Sequence, residues 1–165
     1  MKSTDAGQLQ TSEIRSDQYG FRTKVFVEGK PIKFEIALEG RIGLAKPGKK
    51  DSILGVSSLT KLDMAASKLL ANSDRGLDMG MHCRDLIDLA MLNLSKSEFA
   101  EAAIKGEAAY GEAIFKDLAK VIGMLGDTNG LLERCMKAMD VSVPRALLWQ
   151  NISKVKSYIA NGIPD

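Results

Sequence analysis

At 165 residues the chain is long enough to bury one real core and too short for several domains of ordinary size. A formal net charge of +2 gives no field of the kind that drives binding to nucleic acid or a membrane surface, and aromatics at 5% leave little material for stacking platforms along a single strand. No apolar run approaches the ~20 residues of a membrane span, and the opening MKSTDAGQLQTSE has no apolar core of a signal peptide. The expectation is a cytoplasmic protein without membrane contact. Cys83 and Cys135 both fall inside apolar helical patterns and read as reduced, buried thiols. With the single His82 they are too few and too scattered for a zinc site.

Residues 1–18 are polar and aperiodic and read as a flexible arm. Two alternating stretches follow. Phe21, Thr23, Val25 and Val27 share one face of the first, and Ile32, Phe34, Ile36 and Leu38 share one face of the second. Gly29-Lys30 between them suits a two-residue type II′ turn, with Pro31 opening the second strand on its non-bonded side. A hairpin alone is marginal in water, so it must pack on helices or join other strands. Arg41 to Ser52 reads as a basic loop, marked by glycine, proline and lysines.

After Ser57 every pattern is helical. A first helix is expected near Ser58 to Ala71, capped by Ser57 or Ser58, with Leu59, Leu62, Ala66, Leu69 and Leu70 as its apolar stripe. A second is expected from Met79 to Leu94, where Cys83, Ile87, Ala90 and Leu94 line up and Arg84, Asp85 and Asp88 form the one charged strip. Ser95 and Glu98 make a capping box for a third helix, in which Gly106 and Gly111 mark a break or kink. A fourth helix is expected near Glu112 to Leu125 and a short one from Leu131 to Met139. The last opens at Pro144 and stops at Gly162-Ile163-Pro164. The fold class is α+β: a small hairpin or partial sheet followed by a bundle of five or six helices. The division by sequence is an arm over 1–18, the hairpin and basic loop over 19–55, and a helical part over 56–165.

Several of these stretches, in this order, match a known pattern. They are Y-G-x-R (Tyr19 to Arg22), K-P-I-K-F-E-I (Lys30 to Ile36), and D-x4-K (Asp63, Lys68) running into K-L-L-A-N. D-R-G (Asp74 to Gly76), C-R-D-L-I-D-L (Cys83 to Leu89) and E-A-A-Y-G (Glu107 to Gly111) follow. From about Gln18 onward the chain resembles the C-terminal part of the AbiEii/AbiGii-type nucleotidyltransferase toxins, of the polymerase-β-like superfamily. The resemblance implies a nucleotidyltransferase-like toxin of a toxin–antitoxin or phage-defence pair, whose hairpin is what remains of the catalytic sheet. Magnesium and a nucleoside triphosphate would be its cofactors, RNA a possible acceptor, and an antitoxin a possible partner.

Catalysis of this kind needs carboxylates that hold magnesium against triphosphate oxygens. The superfamily uses a Gly-Ser turn, a D-x-D or D-x-E pair, and a third carboxylate on a neighbouring strand. The chain contains no Gly-Ser and no D-x-D, so the resemblance implies that the nucleotide-binding half is missing or supplied separately. Glu35 matches the third carboxylate and is the metal candidate. By the same carry-over Asp63, Lys68, Arg84 and Asp88 are the catalytic candidates, with Lys68 also placed to meet the nucleotide. The residues themselves leave blander readings open. Asp63 and Lys68 lie about 140° apart on an ideal helix, and by periodicity alone Asp63 reads as a surface residue and Lys68 as a snorkelling side chain. Arg84 and Asp88 can pair along their helix, or with Asp85 tie the Asp74-Arg75-Gly76 loop to the bundle. His82 reads as a surface or capping residue. The alternative to an incomplete enzyme is a non-catalytic module that binds an antitoxin or a second copy, for instance as a homodimer through the hairpin edge.

Overall fold

The computed structural model describes residues 10–160 and is α+β, with a small antiparallel sheet followed by six helices. The Gly162-Ile163-Pro164 stop falls outside the described residues. The chain divides into two compact units between Arg41 and Ile42.

The first unit is a single sheet. Its strands are β1 (Gln10–Thr11), β2 (Arg15–Asp17), β3 (Gly20–Val27) and β4 (Lys30–Ala37). β1 and β2 both pair with one edge of β3, and β4 pairs with the other. The register slips by one residue between them: Thr11 faces Val25 and Arg15 faces Arg22, so Ser12, Glu13 and Ile14 oppose only Thr23 and Lys24. This is a β-bulge. Ser12 pins it, its N–H donating to Lys24 O at 2.8 Å and its hydroxyl accepting from Lys24 N at 3.0 Å.

The described part of the polar stretch read as an arm therefore pairs with β3, as strand at Gln10–Thr11 and again at Arg15–Asp17. It lacks alternation because the backbone ladder holds it and its side chains stay exposed. The β3–β4 hairpin is present, but its turn is Glu28-Gly29, with φ of 50° and 76°, closed by Val27 facing Lys30. Positive φ at both positions makes it type I′, one residue earlier than the expected type II′. The type I′ twist matches the twist of the strands, and this outweighs the strain of glutamate in a left-handed conformation.

The second unit opens with a loop and a two-residue-stranded hairpin, β5 (Ser52–Ile53) and β6 (Val56–Ser57), turning at Leu54-Gly55 with φ of 51° and 81°. Helices α1 (Lys61–Arg75), α2 (Arg84–Met91), α3 (Lys96–Tyr110), α4 (Ala113–Asp127), α5 (Leu131–Ala138) and α6 (Arg145–Ala160) follow. α1 packs on α2, α3 and α4, and α6 packs on α2 and α4. The core is Leu69, Leu86, Leu89, Phe99, Leu118, Leu132, Leu148, Ile152 and their neighbours. Loop residue Ile42 joins Ala66, Leu70 and Ile114 in a second small cluster. No helix among the described residues is long and apolar enough to cross a membrane.

Three helix expectations change. Thr60, not Ser57 or Ser58, caps α1: its hydroxyl accepts from Asp63 N, because the preceding serines lie in or beside β6. The expected Met79–Leu94 helix is broken. Met79–Met81 is one 3₁₀ turn, and His82 and Cys83 then take left-handed φ of 54° and 51° before α2 begins. The break buries Cys83 in the core beside Leu86 and Ile87. Gly106 does not break α3. It is buried, and a Cβ there would come within 3.2 Å of Ile114 Cδ1 and 3.7 Å of Leu69 Cβ, so glycine lets the helices approach closely. The Ser95–Glu98 capping box is present, and Glu98 also accepts from Lys61 at 2.9 Å. Ser95 N–H first, and Lys61 second, hold the Glu98 carboxyl down at about 2.

Candidate functional site

The second unit gathers its charges at the junction of α1, α2 and α3. α1 presents Asp63 at its first turn and Lys68 farther along, and Arg75 is its last residue. The break at His82-Cys83 sets the phase of α2, so that Asp85 turns inward while Arg84 stays exposed.

Asp85 is 2% exposed and is the centre of the network. Arg75 grips it with two bonds, Nε to Oδ2 at 2.8 Å and Nη2 to Oδ1 at 3.2 Å. Lys68 Nζ reaches Asp85 Oδ1 at 3.1 Å and Asp88 Oδ2 at 2.5 Å. Two cations and two carboxylates balance. Burial alone would push the Asp85 carboxyl up, but Arg75 and then Lys68 outweigh it and hold it below the usual carboxylate range. Asp85 thus does fasten the Asp74-Arg75-Gly76 segment to the bundle. Gly76 fits because there is no room for a side chain: an added Cβ would lie 2.5 Å from Asn72 O and 2.7 Å from Val121 Cγ2.

Asp63 belongs to a second cluster. It is fully buried, which excludes the surface reading. Its carboxylate accepts from Ala45 N at 2.8 Å, Thr60 Oγ1 at 2.9 Å and Lys105 Nζ of α3. Burial opposes ionisation here too, and the Lys105, Ala45 and Thr60 donors prevail, so the carboxyl is held down. Asp63 and Lys68 therefore do not pair; each answers to another element, as their angular separation requires.

Arg84 and Asp88 do not pair either. Asp88 turns to Lys68, and Arg84 makes no ion pair or hydrogen bond among the described residues. Both line a cleft of about 450 Å³ with His82, Met81 and Met139. His82 is exposed at the rim, in keeping with a surface residue. Lys105 is the site residue that sequence reading missed. Its signal was indirect: Asp63 stands in line with Ala66 and Leu70 at helical spacing, and a carboxylate on a buried stripe calls for a cation from elsewhere.

Glu35 lies on β4 in the first unit, on the face opposite Phe34 and Ile36. Its oxygens meet Lys33 at 2.6 Å and Arg22 at 2.7 Å, and these two, in that order, lower its pKa. Arg22 also binds Asp17 at 3.2 Å. Each candidate carboxylate thus faces a cationic side chain, and no group of three metal-capable side chains occurs among the described residues. The carboxylates present do not fit a magnesium ion held by the protein. The two thiols are free and buried, as their apolar settings suggest.

No family model, no curated protein and no solved structure matches this chain.

Proposed function

We propose that the chain is the C-terminal part of an AbiEii-type nucleotidyltransferase-like protein of the cytoplasm, and that its helical unit engages the phosphates of a nucleoside triphosphate through Lys68 and Arg84. One observation carries this reading: Lys68 Nζ rests on Asp88 Oδ2 at 2.5 Å, so the lysine of D-x4-K and the aspartates of R-D-x-x-D, two segments that bear the resemblance, meet in one charged cluster. Arg84 adds a guanidinium with no ion pair among the described residues, on the cleft that Asp88 lines. A planar fork of donors in that position suits a phosphate. Asp88, partly exposed, is the anion of Lys68 that a phosphate would replace in this scheme. Asp63 is a positioning residue in this scheme, since Thr60, Ala45 and Lys105 already occupy it. Transfer to RNA or another acceptor would need metal carboxylates from outside this chain.

The test is calorimetric titration of each triphosphate, as its magnesium complex, into the full chain and into Lys68→Ala, Arg84→Ala and Glu35→Ala. Saturable binding that weakens by about tenfold or more in the first two variants, and is unchanged in the third, is expected. No saturation at millimolar triphosphate, or binding indifferent to both substitutions, would sink the proposal.

A second reading rests on the first unit. The sheet leaves Ile32, Phe34, Ile36 and Leu38 exposed, and β4 has no strand on its outer edge among the described residues. An apolar face beside an open edge is how a sheet docks a partner, so this unit is read as an interaction surface, for an antitoxin or for a second copy.

A further inference from the structure

We propose that the occupant of the β4 edge is a second copy of the chain, joined antiparallel about a two-fold axis through Phe34. This rests on reading the first unit as an interaction surface and is independent of nucleotide binding.

The hydrogen-bond parity of β4 is fixed by its hairpin. Val27 facing Lys30 closes the two-residue turn, and Leu38 N donates to Tyr19 O at 2.7 Å at the other end. The backbone groups of Lys30, Ile32, Phe34 and Ile36 therefore point inward to β3. Those of Lys33, Glu35 and Ala37 point outward, with no partner among the described residues. Pro31 presents only its carbonyl there. An added strand must use these outward groups.

Few self-pairings do so. Centring the axis on Lys33 or on Glu35 sets that residue against its own copy, and like charges directly opposite are destabilising. Centring it between two residues pairs outward groups with inward ones and turns the apolar side of one copy to the polar side of the other. Centring it on Ile32 or Ile36 keeps the parity but overlaps little of β4 and does not set Lys33 against Glu35, whereas centring it on Phe34 overlaps most of β4 and does set them opposite. Lys33 then faces Glu35 of the second copy, and Glu35 faces its Lys33, each pair exchanging both backbone bonds. Ala37 N–H meets the Pro31 carbonyl, so the proline's missing donor falls at the end of the ladder. Ile32 faces Ile36 and Phe34 faces Phe34, all on the side that also carries Phe21, whose ring lies 6.0 Å from that of Phe34. Alternation of Ile, Lys, Phe, Glu, Ile about Phe34 reads as its own complement in both charge and shape.

The experiment uses the full chain. Sedimentation across a concentration series measures the dimer, and Phe34→Cys under mild oxidation reads the register. At a non-hydrogen-bonded pair the two Cα atoms stand about 4.5 Å apart, within disulfide reach. The native thiols are buried and do not compete. Phe34→Cys should cross-link with itself. Ile32→Cys and Ile36→Cys should cross-link when mixed, and neither alone. Lys33→Glu should weaken the dimer by about tenfold, and the exchange Lys33→Glu/Glu35→Lys should restore it. A chain that stays monomeric throughout overturns both this pairing and self-docking of the sheet. A dimer in which Phe34→Cys shows no preference, or that Lys33→Glu leaves intact, overturns this pairing while the sheet remains a docking surface.

Discussion

Asp85 shows what a buried carboxylate asks of its neighbours. Burying a carboxylate is unfavourable by several kcal/mol unless cations follow it in, and here Arg75 and Lys68 do. Removing Arg75 leaves the buried carboxylate with Lys68 as its one cation. Arg75→Ala is expected to destabilise the protein by about 1.5–3 kcal/mol in urea unfolding, the loss of a charged hydrogen-bonded pair. The same carboxylate makes stability fall in acid. An unfolded aspartate ionises near ~3.9, whereas folded Asp85 and Asp63 are held lower, so at neutral pH both contribute in full. As pH falls through about 4 the unfolded chain takes up protons first, and the contribution fades until the folded carboxyls are protonated too. Urea midpoints measured from pH 7 down to pH 3 should be flat at first and then drop, with a shallower drop in Arg75→Ala. A midpoint that rises on acidification would contradict the network. The charged strip of α2 was legible as a strip. Its sharing-out was not, because Asp85 and Asp88 differ in partners that come from α1, and periodicity along one helix is blind to its neighbours.

At the scale of elements, glycine separates what the local sequence dictates from what packing dictates. Gly76 has ordinary helical φ near −61°, yet an added methyl would press on Asn72 O and Val121 Cγ2. Gly123 lies inside α4 with nothing within 4 Å of the same added atom. Gly76→Ala is therefore expected to lose about 1–3 kcal/mol through overpacking. Gly123→Ala should gain up to about 1 kcal/mol from helix propensity. Thermal melts that move both the same way would show the packing at Gly76 to be looser than drawn.

The capping box at Ser95, the β3–β4 alternation and the six helical stripes could be read from sequence because each is settled by residues near in the chain. Three features could not. β5 and β6 are too short to show a period. In the left-handed pair at His82-Cys83 only the histidine leans toward that conformation, and one such residue inside a helical pattern does not announce a break. The strand pairing of Gln10 to Asp17 is backbone chemistry, which any polar sequence can supply.

The whole molecule is two compact units of unlike construction. The second has a core that closes on itself, while the first is one layer whose apolar side remains open. A sheet with such a face gains most of its stability from whatever covers it. That makes the first unit the natural place for association and the second the natural place for a preformed charged site. The cysteines fall entirely in the second. Burial, and then the neighbouring Cys135, pushes the Cys83 thiol up to about 12. The folded chain therefore holds Cys83 as the neutral thiol, 2% exposed, a poor target for a reagent. Modification must wait for the helices to part. The rate at which an aromatic disulfide reagent consumes thiol should rise with urea in step with the loss of helical dichroism, and rapid consumption in native buffer would refute the burial. The kink at His82-Cys83 thereby equips the protein with an internal clock for its own opening, one that runs when the helical unit unfolds.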